Sequence, residues 1–543
     1  MREALPNGRL RVLILGGTGV FGSRLCRLLV ADPTVVLTVA GRDRVRVDAL
    51  AGELGISGLV FDWRRDLDRV LGERGYDALV HLAGPFQGQD YGVADLCIRH
   101  RVHYLDLADD AAFVCGIERL NAAAMAADVL VCAGASTAPA ITGAVVQEAL
   151  KTGPIERVAF GIVPGNDAPR GRALVEAILS RAGRPIVDQP GRHVWGNLRR
   201  IKVPGLGVRW VAACDLPEPA LFAGRFGIRE TYAGAGLELS ILHVGLWLLA
   251  WLVRGRLLRS LAPAAAPLAV IADSLRRLGT DRGGLRIDLE GGSGRRTWCL
   301  LAESGDGPFI PVVAAAALIG KLARGEITSR GAMPCLGVLD LADIEAQWRG
   351  AGLRVAAGWG EDGAKLRPSL YRRALGSAYC RQAPAGQALH DAGSSRWMGC
   401  CTVDGGETAI GRLLSRLFQL PAPAVDAPLS VEFASIDGGE IWTRRIGRRT
   451  MRSRQYIGRR KQAGWIVEQF GPFAFDLELA VADGRLELMM RGMRCCGVAL
   501  PRAVWPRIEA NESEERGRFH FDVKIGLALV GQLVRYRGWL TDR

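Results

Sequence analysis

Seven consecutive residues, Gly16-Gly17-Thr18-Gly19-Val20-Phe21-Gly22, have the types and spacing to hold a pyrophosphate. A backbone that passes close to paired phosphates needs positions without a Cβ. Gly16 suits a tight turn, Gly19 the approach to the anion, and Gly22 the close packing of a helix on the strand before it. The N–H groups at the start of that helix then face negative charge. The surroundings fit: residues 12–15 read as a buried strand and residues 23–30 as an amphipathic helix. A tight strand–helix turn that holds no ligand is the alternative.

Further along, the apolar run 35–40 ends in Gly41-Arg42-Asp43. A site selective for NAD places a carboxylate here to hold the ribose 2′-hydroxyl. Gly41 instead leaves room for a 2′-phosphate, and the Arg42 guanidinium would pair with it. The pattern favours NADP over NAD as cofactor; Asp43 turned inward onto the ribose, or Arg42 as a solvated turn residue, are the competing readings. Asp62 either accepts a bond from the adenine amino group or caps the helix that follows. In a doubly wound sheet the ligand lies across the carboxyl ends of the strands, so the small residues Ala83-Gly84-Pro85 would flank the nicotinamide.

The stretch His103-Tyr104-Leu105-Asp106 ends at the same edge. Asp106 is the expected proton donor and His103 the second candidate. Successive strand residues point to opposite faces, so the two share one only if the strand ends between them. The plainer alternative packs His103 in the sheet and leaves Asp106 to cap a helix. One common proton relay, a Tyr with a Lys four residues later, is absent. None of Tyr76, Tyr91 and Tyr104 has a lysine at that offset, and the first lysine in the chain is Lys151.

These residues need elements to position them. Six apolar runs (residues 12–15, 35–40, 58–61, 78–82, 104–107 and 129–132) alternate with helical stretches at 44–54, 67–73, 91–100 and 112–127, the alternation of a doubly wound parallel sheet. From about residue 145 strands and helices mix, and a helix at 311–324 leads the chain back towards the first domain. Residues 350–367 are glycine-rich and polar, and a linker is expected there. Beyond 370, short alternating runs separated by Gly, Pro and Asp read as an antiparallel sheet.

The domains expected are therefore 1–145, 146–350 and 370–543. The net charge of +14 comes almost wholly from arginine, there being six lysines (Lys151, Lys202, Lys321, Lys365, Lys461 and Lys524). No nucleic-acid-binding motif accompanies the charge, so no nucleic-acid partner is expected. Twelve scattered cysteines with no C-x-x-C spacing argue against a disulfide framework or a metal site. They suit a reducing cytoplasm, and the N-terminus shows no signal-peptide pattern.

The glycine turn, Ala40-Gly41-Arg42-Asp43, Ala83-Gly84-Pro85-Phe86 and His103-Tyr104-Leu105-Asp106-Leu107 occur in the order seen in saccharopine dehydrogenase-like proteins, which residues 10–345 resemble. Gly305-Asp306-Gly307, Gly325-Glu326-Ile327 and Gly331-Ala332-Met333-Pro334 resemble that family's return element. The C-terminal part resembles an uncharacterised bacterial domain found fused to such modules, through Glu468-Gln469-Phe470-Gly471-Pro472, Phe519-His520-Phe521-Asp522 and Tyr536-Arg537-Gly538-Trp539-Leu540. The resemblance implies a Rossmann-type doubly wound parallel sheet, a mixed α/β substrate domain and a C-terminal, mainly antiparallel β domain. It also implies an NADP-linked oxidoreductase, without implying saccharopine as substrate. No convincing set of basic groups for that amino-dicarboxylate is found, and a small-molecule or lipid-linked substrate stays open. So do an enoyl reductase acting on a lipid precursor and a non-catalytic, membrane-associated NADP-binding protein.

Two further stretches bear on partners. Residues from Leu239 to Val253 are strongly apolar yet short of the roughly 20 residues that span a bilayer. Trp247 and Trp251 stand one turn apart, followed by Arg254, Arg256 and Arg259. A core or homodimer helix, with His243 as packing, is set against a helix lying peripherally on the inner membrane. The run from Arg444 to Lys461 is the densest positive charge, either a solvated hairpin face or a contact for anionic lipid or ligand. The cofactor reading has a direct test. A charged hydrogen bond contributes about 1.5–3 kcal/mol, so Arg42→Ala should weaken NADPH binding by about ten- to hundredfold and leave NADH binding nearly unchanged. Fluorescence titration reads both; equal losses would contradict the assignment.

Overall fold

A computed structural model describes residues 8–169, 172–186, 189–292, 294–360, 369–393, 395–418, 420–436, 439–447, 449–457, 465–528 and 530–542. The chain divides into two compact units, residues 1–348 with 355–366, and residues 349–354 with 367–543.

In the first unit the apolar runs become β1 (Leu10–Leu15), β2 (Val35–Gly41), β3 (Ser57–Val60), β4 (Ala78–His81), β5 (His103–Asp106) and β6 (Leu130–Ala133). Between and after them lie α1 (Val20–Leu29), α2 (Arg44–Leu54), α3 (Trp63–Arg74), α4 (Gly92–Arg99), α5 (Ala111–Gly116), α6 (Asn121–Ala126) and α7 (Thr142–Leu150). All strand pairs are parallel, in the order β3-β2-β1-β4-β5-β6. Strand order reverses between β1 and β4, where such sheets open a crevice for ligand. Helices cover both faces, so the strands read as continuous apolar runs rather than alternating ones. The single helix expected at 112–127 is broken in three, with a 3-10 turn at Ile117–Leu120 between α5 and α6. At the second break, the Asn121 side chain accepts from the Ala332 N–H at 3.0 Å and so joins the returning chain.

That return is strand Gly331–Pro334, which pairs in parallel with β6 and makes the sheet seven-stranded. Helix Ile310–Ala323 leads into it. Its run Ala314–Ala317 is buried, and such small side chains allow the close approach to α1.

The second sheet is also seven-stranded. Its order is Val355–Trp359, Gly294–Ala302, Gly283–Gly291, Ile155–Val163, Glu230–Ala235, Gly207–Ala213 and Arg199–Val203. Only Ile155–Val163 and Glu230–Ala235 pair in parallel. The linker expected at 350–367 is corrected here. Val355–Trp359 is an edge strand, Val355 opposite Ala302, and it is too short and alanine-rich to stand out between glycines. Residues 361–367 of that stretch lie outside the described residues.

The second unit is a closed barrel. Apart from the two-residue strand Val498–Ala499, ten strands run as an antiparallel meander from Arg396–Asp404 to Gly531–Asp542. These two pair with each other and close the ring. Closure removes the free edges that a sheet otherwise exposes. Each strand alternates, as Trp442, Ser453 and Gln455 point inward while Arg452 and Arg454 are exposed. Strand Arg449–Tyr456 was hidden within the basic run because its outward positions carry the arginines. Of that run, Arg448, Gly458, Arg459, Arg460 and Lys461 lie outside the described residues.

At the β1–α1 turn the helix lies so near the backbone that a Cβ on Gly22 would stand 2.4 Å from the Gly16 carbonyl oxygen and 2.5 Å from the Gly17 Cα. Neither obstacle is a flexible side-chain end. Overpacking of this kind costs about 1–3 kcal/mol, so Gly22→Ala should lower the melting temperature of the first unit by several degrees. An unchanged melt would mean that the packing is looser than described.

Candidate active site

The carboxyl ends of the β strands carry the cradle. Gly16 has φ +75°, and a Cβ there would meet the backbone of Leu82 at 2.9 Å, so the first turn demands glycine. A Cβ on Gly17 would stand 2.4 Å from Val39 Cγ2, and the Gly17 N–H donates to the Ala40 carbonyl at 3.1 Å. Gly19 is the N-cap of α1, and no side chain caps that helix. Val20 and Phe21 form its first turn. The helix start is thus left to whatever anion lies before it, and the residues fit a pyrophosphate.

At the adenosine end, Gly41 closes β2 against Thr18, whose Oγ1 would lie 3.3 Å from a Cβ there. Arg42 is exposed just beyond. Asp43 is committed elsewhere, capping α2 by accepting from the Arg46 N–H at 3.2 Å. Asp62 likewise caps α3, accepting from the Arg64 N–H at 3.2 Å; of its two expected roles, the structure displays the cap. Arg46 was not anticipated. Its Nη2 donates to the Thr18 carbonyl at 2.6 Å, which draws the guanidinium over the corner between cradle and β2. Its place one helical turn after Arg42 was the available clue.

At the nicotinamide end, the Gln89 side chain holds the loop by donating to the Ala83 carbonyl at 3.2 Å and the Pro85 carbonyl at 2.6 Å. Gly84 lies between them. Asp106 sits at the end of β5, fully buried. Its Oδ1 accepts from the Ala108 N–H at 2.9 Å and the Gly134 N–H at 2.7 Å, which ties the loops after β5 and β6 together. Burial pushes its carboxyl up to about 6, opposed by those two bonds and by the Tyr104 hydroxyl. Beneath it, Tyr104 also meets His81 Nδ1 at 3.3 Å, and burial lowers that histidine to about 4, so it is neutral. Asp106 Oδ1 thus ties two loops together, while its buried Oδ2 has no hydrogen-bond partner. His103 requires a correction. It opens β5, at the end of the strand away from the crevice, and its Nδ1 accepts from the Leu130 N–H at 2.9 Å.

A different acid lies beside the loop after β5. Glu218 begins helix Glu218–Phe226 and is fully buried. Its Oε1 accepts from Thr142 Oγ1 at 2.7 Å, at the start of α7, while Oε2 has no hydrogen-bond partner. Burial raises its carboxyl to about 7, and the Asp109 carboxylate adds to the rise. Asp109, in the loop after β5, is raised as well, first by burial. Nothing in the sequence joined Glu218 to Asp109, because more than a hundred residues separate them.

Away from the crevice, helix Ser240–Arg254 buries His243, Ala250 and Val253 and exposes Ile241, Leu248 and Trp251. His243 Nδ1 accepts from the Leu237 N–H at 3.2 Å and its ring packs on Trp195, a packing role. Among the described residues no helix is long and apolar enough to cross a membrane, and no group of His, Cys, Asp or Glu could hold a metal ion.

Residues 12–147 match the family model described as the saccharopine dehydrogenase NADP binding domain, and residues 383–540 match one described as a domain of unknown function, DUF4166. No curated protein matches the chain. Among solved structures, apo saccharopine dehydrogenase (L-Glu forming) from Saccharomyces cerevisiae is 14% identical, covering 65% of this chain and 100% of its own, with a TM-score of 0.45. Homospermidine synthase from Legionella pneumophila in complex with NAD is 13% identical, covering 67% and 94%, with a TM-score of 0.43. Likenesses this distant carry no activity across. The cradle, the strand order and the family match agree: residues 12–147 are an NAD(P)-binding domain of the saccharopine dehydrogenase type, joined in one chain to a DUF4166 domain.

Proposed function

We propose that the chain is an NADP-dependent oxidoreductase that moves a hydride to or from a small-molecule or lipid-linked substrate at the carboxyl edge of the first sheet. The observation that carries this reading is a fully buried carboxyl with one unpaired oxygen, Glu218, beside the loop after β5 on the side of the sheet that carries the glycine cradle. Gly16, Gly17, Thr18, Gly19, Val20, Phe21 and Gly22 would hold the pyrophosphate. Arg42 and Arg46 would hold the 2′-phosphate, and Ala83, Gly84 and Pro85 would flank the nicotinamide. When bound there, NADPH supplies the hydride. Glu218 would give a proton to the heteroatom or carbon that gains negative charge, and take it back in the reverse direction. An acid raised to about 7 suits both tasks near neutral pH. Asp106, through Oδ1, would hold the loops on either side.

Purified protein should bind NADPH and oxidise it with at least one compound from a panel of imine-forming oxo acid and amine pairs, enones and ketones. Glu218→Gln should lower kcat by about a hundredfold or more with NADPH affinity retained. Failure to bind either nucleotide would overturn the reading. Stability gives an independent check. The native state keeps a proton on Glu218 that the unfolded chain releases above pH 4.5, so stability falls as pH rises from there to about 7 and then levels. The loss is on the order of 3 kcal/mol. Thermal melts from acid to neutral pH should show this slope in the wild type and a shallower one in Glu218→Gln; equal slopes would contradict the assignment.

A second reading, peripheral attachment to a membrane, is favoured by the outward stripe Ile241, Leu248 and Trp251, beside which Arg254 lies 4.6 Å over the Trp251 ring. The protein should then float with anionic liposomes, and Leu248→Glu with Trp251→Glu should abolish flotation. Retention of the double variant on liposomes, or a dimer that the double variant dissolves, would count against it.

A further inference from the structure

The barrel of the second unit encloses a cavity of about 830 Å³. Eight-stranded barrels have an interior just wide enough to be filled by side chains or to hold one small ligand. Ten strands make a wider ring, and the inward side chains here do not fill it. The period-2 alternation directs Phe473, Phe475 and Leu477 from one strand, and Phe519, Phe521 and Val523 from another, onto the cavity wall. A volume in this range, with mainly apolar walls and a few convergent polar groups, is that of a small-molecule site.

The two ends differ. Strand Arg396–Asp404 enters the barrel after helix Pro384–Asp391 and leaves it towards helix Ala409–Leu417, so these helices lie at opposite ends. At the first end, Tyr371 and Leu389 are buried and line the cavity floor. At the second, Leu414, Leu417 and Phe418 line it, while Leu417 is 70% and Phe418 51% exposed. The second end is therefore the mouth. Its helix is held by Ser415 Oγ, which donates to the Leu533 carbonyl at 2.7 Å, and leaves Ile410 and Leu413 in solvent beside the opening.

Four polar groups on the wall, Tyr371, Arg444, Gln455 and Glu468, form one network with Ser453 behind them. Arg444 donates to Glu468 Oε1 at 3.0 Å and to Ser453 Oγ at 2.9 Å, and Ser453 donates to the same Glu468 oxygen at 2.8 Å. Gln455 Nε2 donates to Glu468 Oε1 at 3.1 Å, and the Tyr371 hydroxyl to Gln455 Oε1 at 3.1 Å. The other charged group on the wall, Glu512, meets His390 Nε2 at 2.7 Å. The lining offers no unpaired cation for an anionic headgroup, and an added carboxylate would face Glu468 and Glu512.

We propose that the barrel is a binding site for an uncharged lipid, one apolar chain seated between the phenylalanine-rich strands, with a hydroxyl, ester or amide end against the Tyr371–Gln455–Glu468–Arg444 network. The inference does not rest on the NADP reading, and it has its own readout. Full-length protein is titrated with the neutral fluorophore phenylnaphthylamine, which is then displaced by monoacylglycerols lengthened two methylenes at a time. Affinity should rise about tenfold per added pair of methylenes until the cavity is filled, and the fatty acid of equal chain length should bind more weakly. Ala510→Phe and Val523→Trp add bulk from the wall into the empty space; both should cut affinity at least tenfold while NADPH binding and the melting profile are kept. No saturable binding of the fluorophore, no dependence on chain length, or unchanged affinity in both folded variants would overturn the proposal. A fatty acid that outcompetes its monoacylglycerol would overturn the neutral headgroup.

Discussion

The first unit depends on one close approach of backbone to backbone. Where β1 turns into α1, the chain at Gly16–Gly17 and the helix at Gly22 lie nearer than any side chain permits, with 2.4 Å between a would-be methyl and the Gly16 oxygen. Packing so tight fixes the start of α1 directly over the carboxyl end of β1, beside β4, where the strand order reverses. The uncapped helix start then points along the crevice. Chemistry proposed at this edge follows from that geometry: an anion would complete the helix end, and the rest of the edge would be placed relative to it.

Buried charge organises the neighbouring loops. Asp106 has no exposure, yet its carboxylate holds two backbone N–H groups from different loops, and that duty offsets the cost of burying it. Glu218 has a single partner, Thr142, and an unpaired second oxygen. The two differ in what they hold, Asp106 two backbone N–H groups and Glu218 one hydroxyl, while each leaves one buried oxygen unpaired. Burial, with Asp109 beside it, raises Glu218 to about 7, so it changes protonation near neutral pH.

Local features were legible in the sequence and long-range ones were not. The glycine turn and the six parallel strands depend on short apolar runs and glycine spacing, which a single strand or turn displays by itself; the return at Gly331–Pro334 was implied by the family resemblance. Asp43 and Asp62 show the limit: each stands before a helix and could serve a ligand or a cap, and only the Arg46 and Arg64 N–H positions decide. His103 was misread because sequence order along a four-residue strand does not reveal how far the crevice lies from its first residue. Glu218 belongs to a distant helix, and its meeting with Thr142 is a product of tertiary packing. In the barrel, Arg444 looked like one more solvated arginine; alternation turns it inward onto Glu468, while Arg445 beside it pairs with Glu432 at the surface.

One proposed arrangement is central: a dinucleotide laid across the crevice with its phosphates on the α1 start and its reactive ring beside Glu218. A crystal structure of the protein with NADPH bound tests it most directly. The account requires the pyrophosphate against Gly16–Gly22, the 2′-phosphate between Arg42 and Arg46, and a substrate-sized space between the nicotinamide C4 and the Glu218 carboxyl. A nicotinamide sealed against Ala83–Pro85 with Glu218 out of reach, or a dinucleotide bound elsewhere, would contradict it.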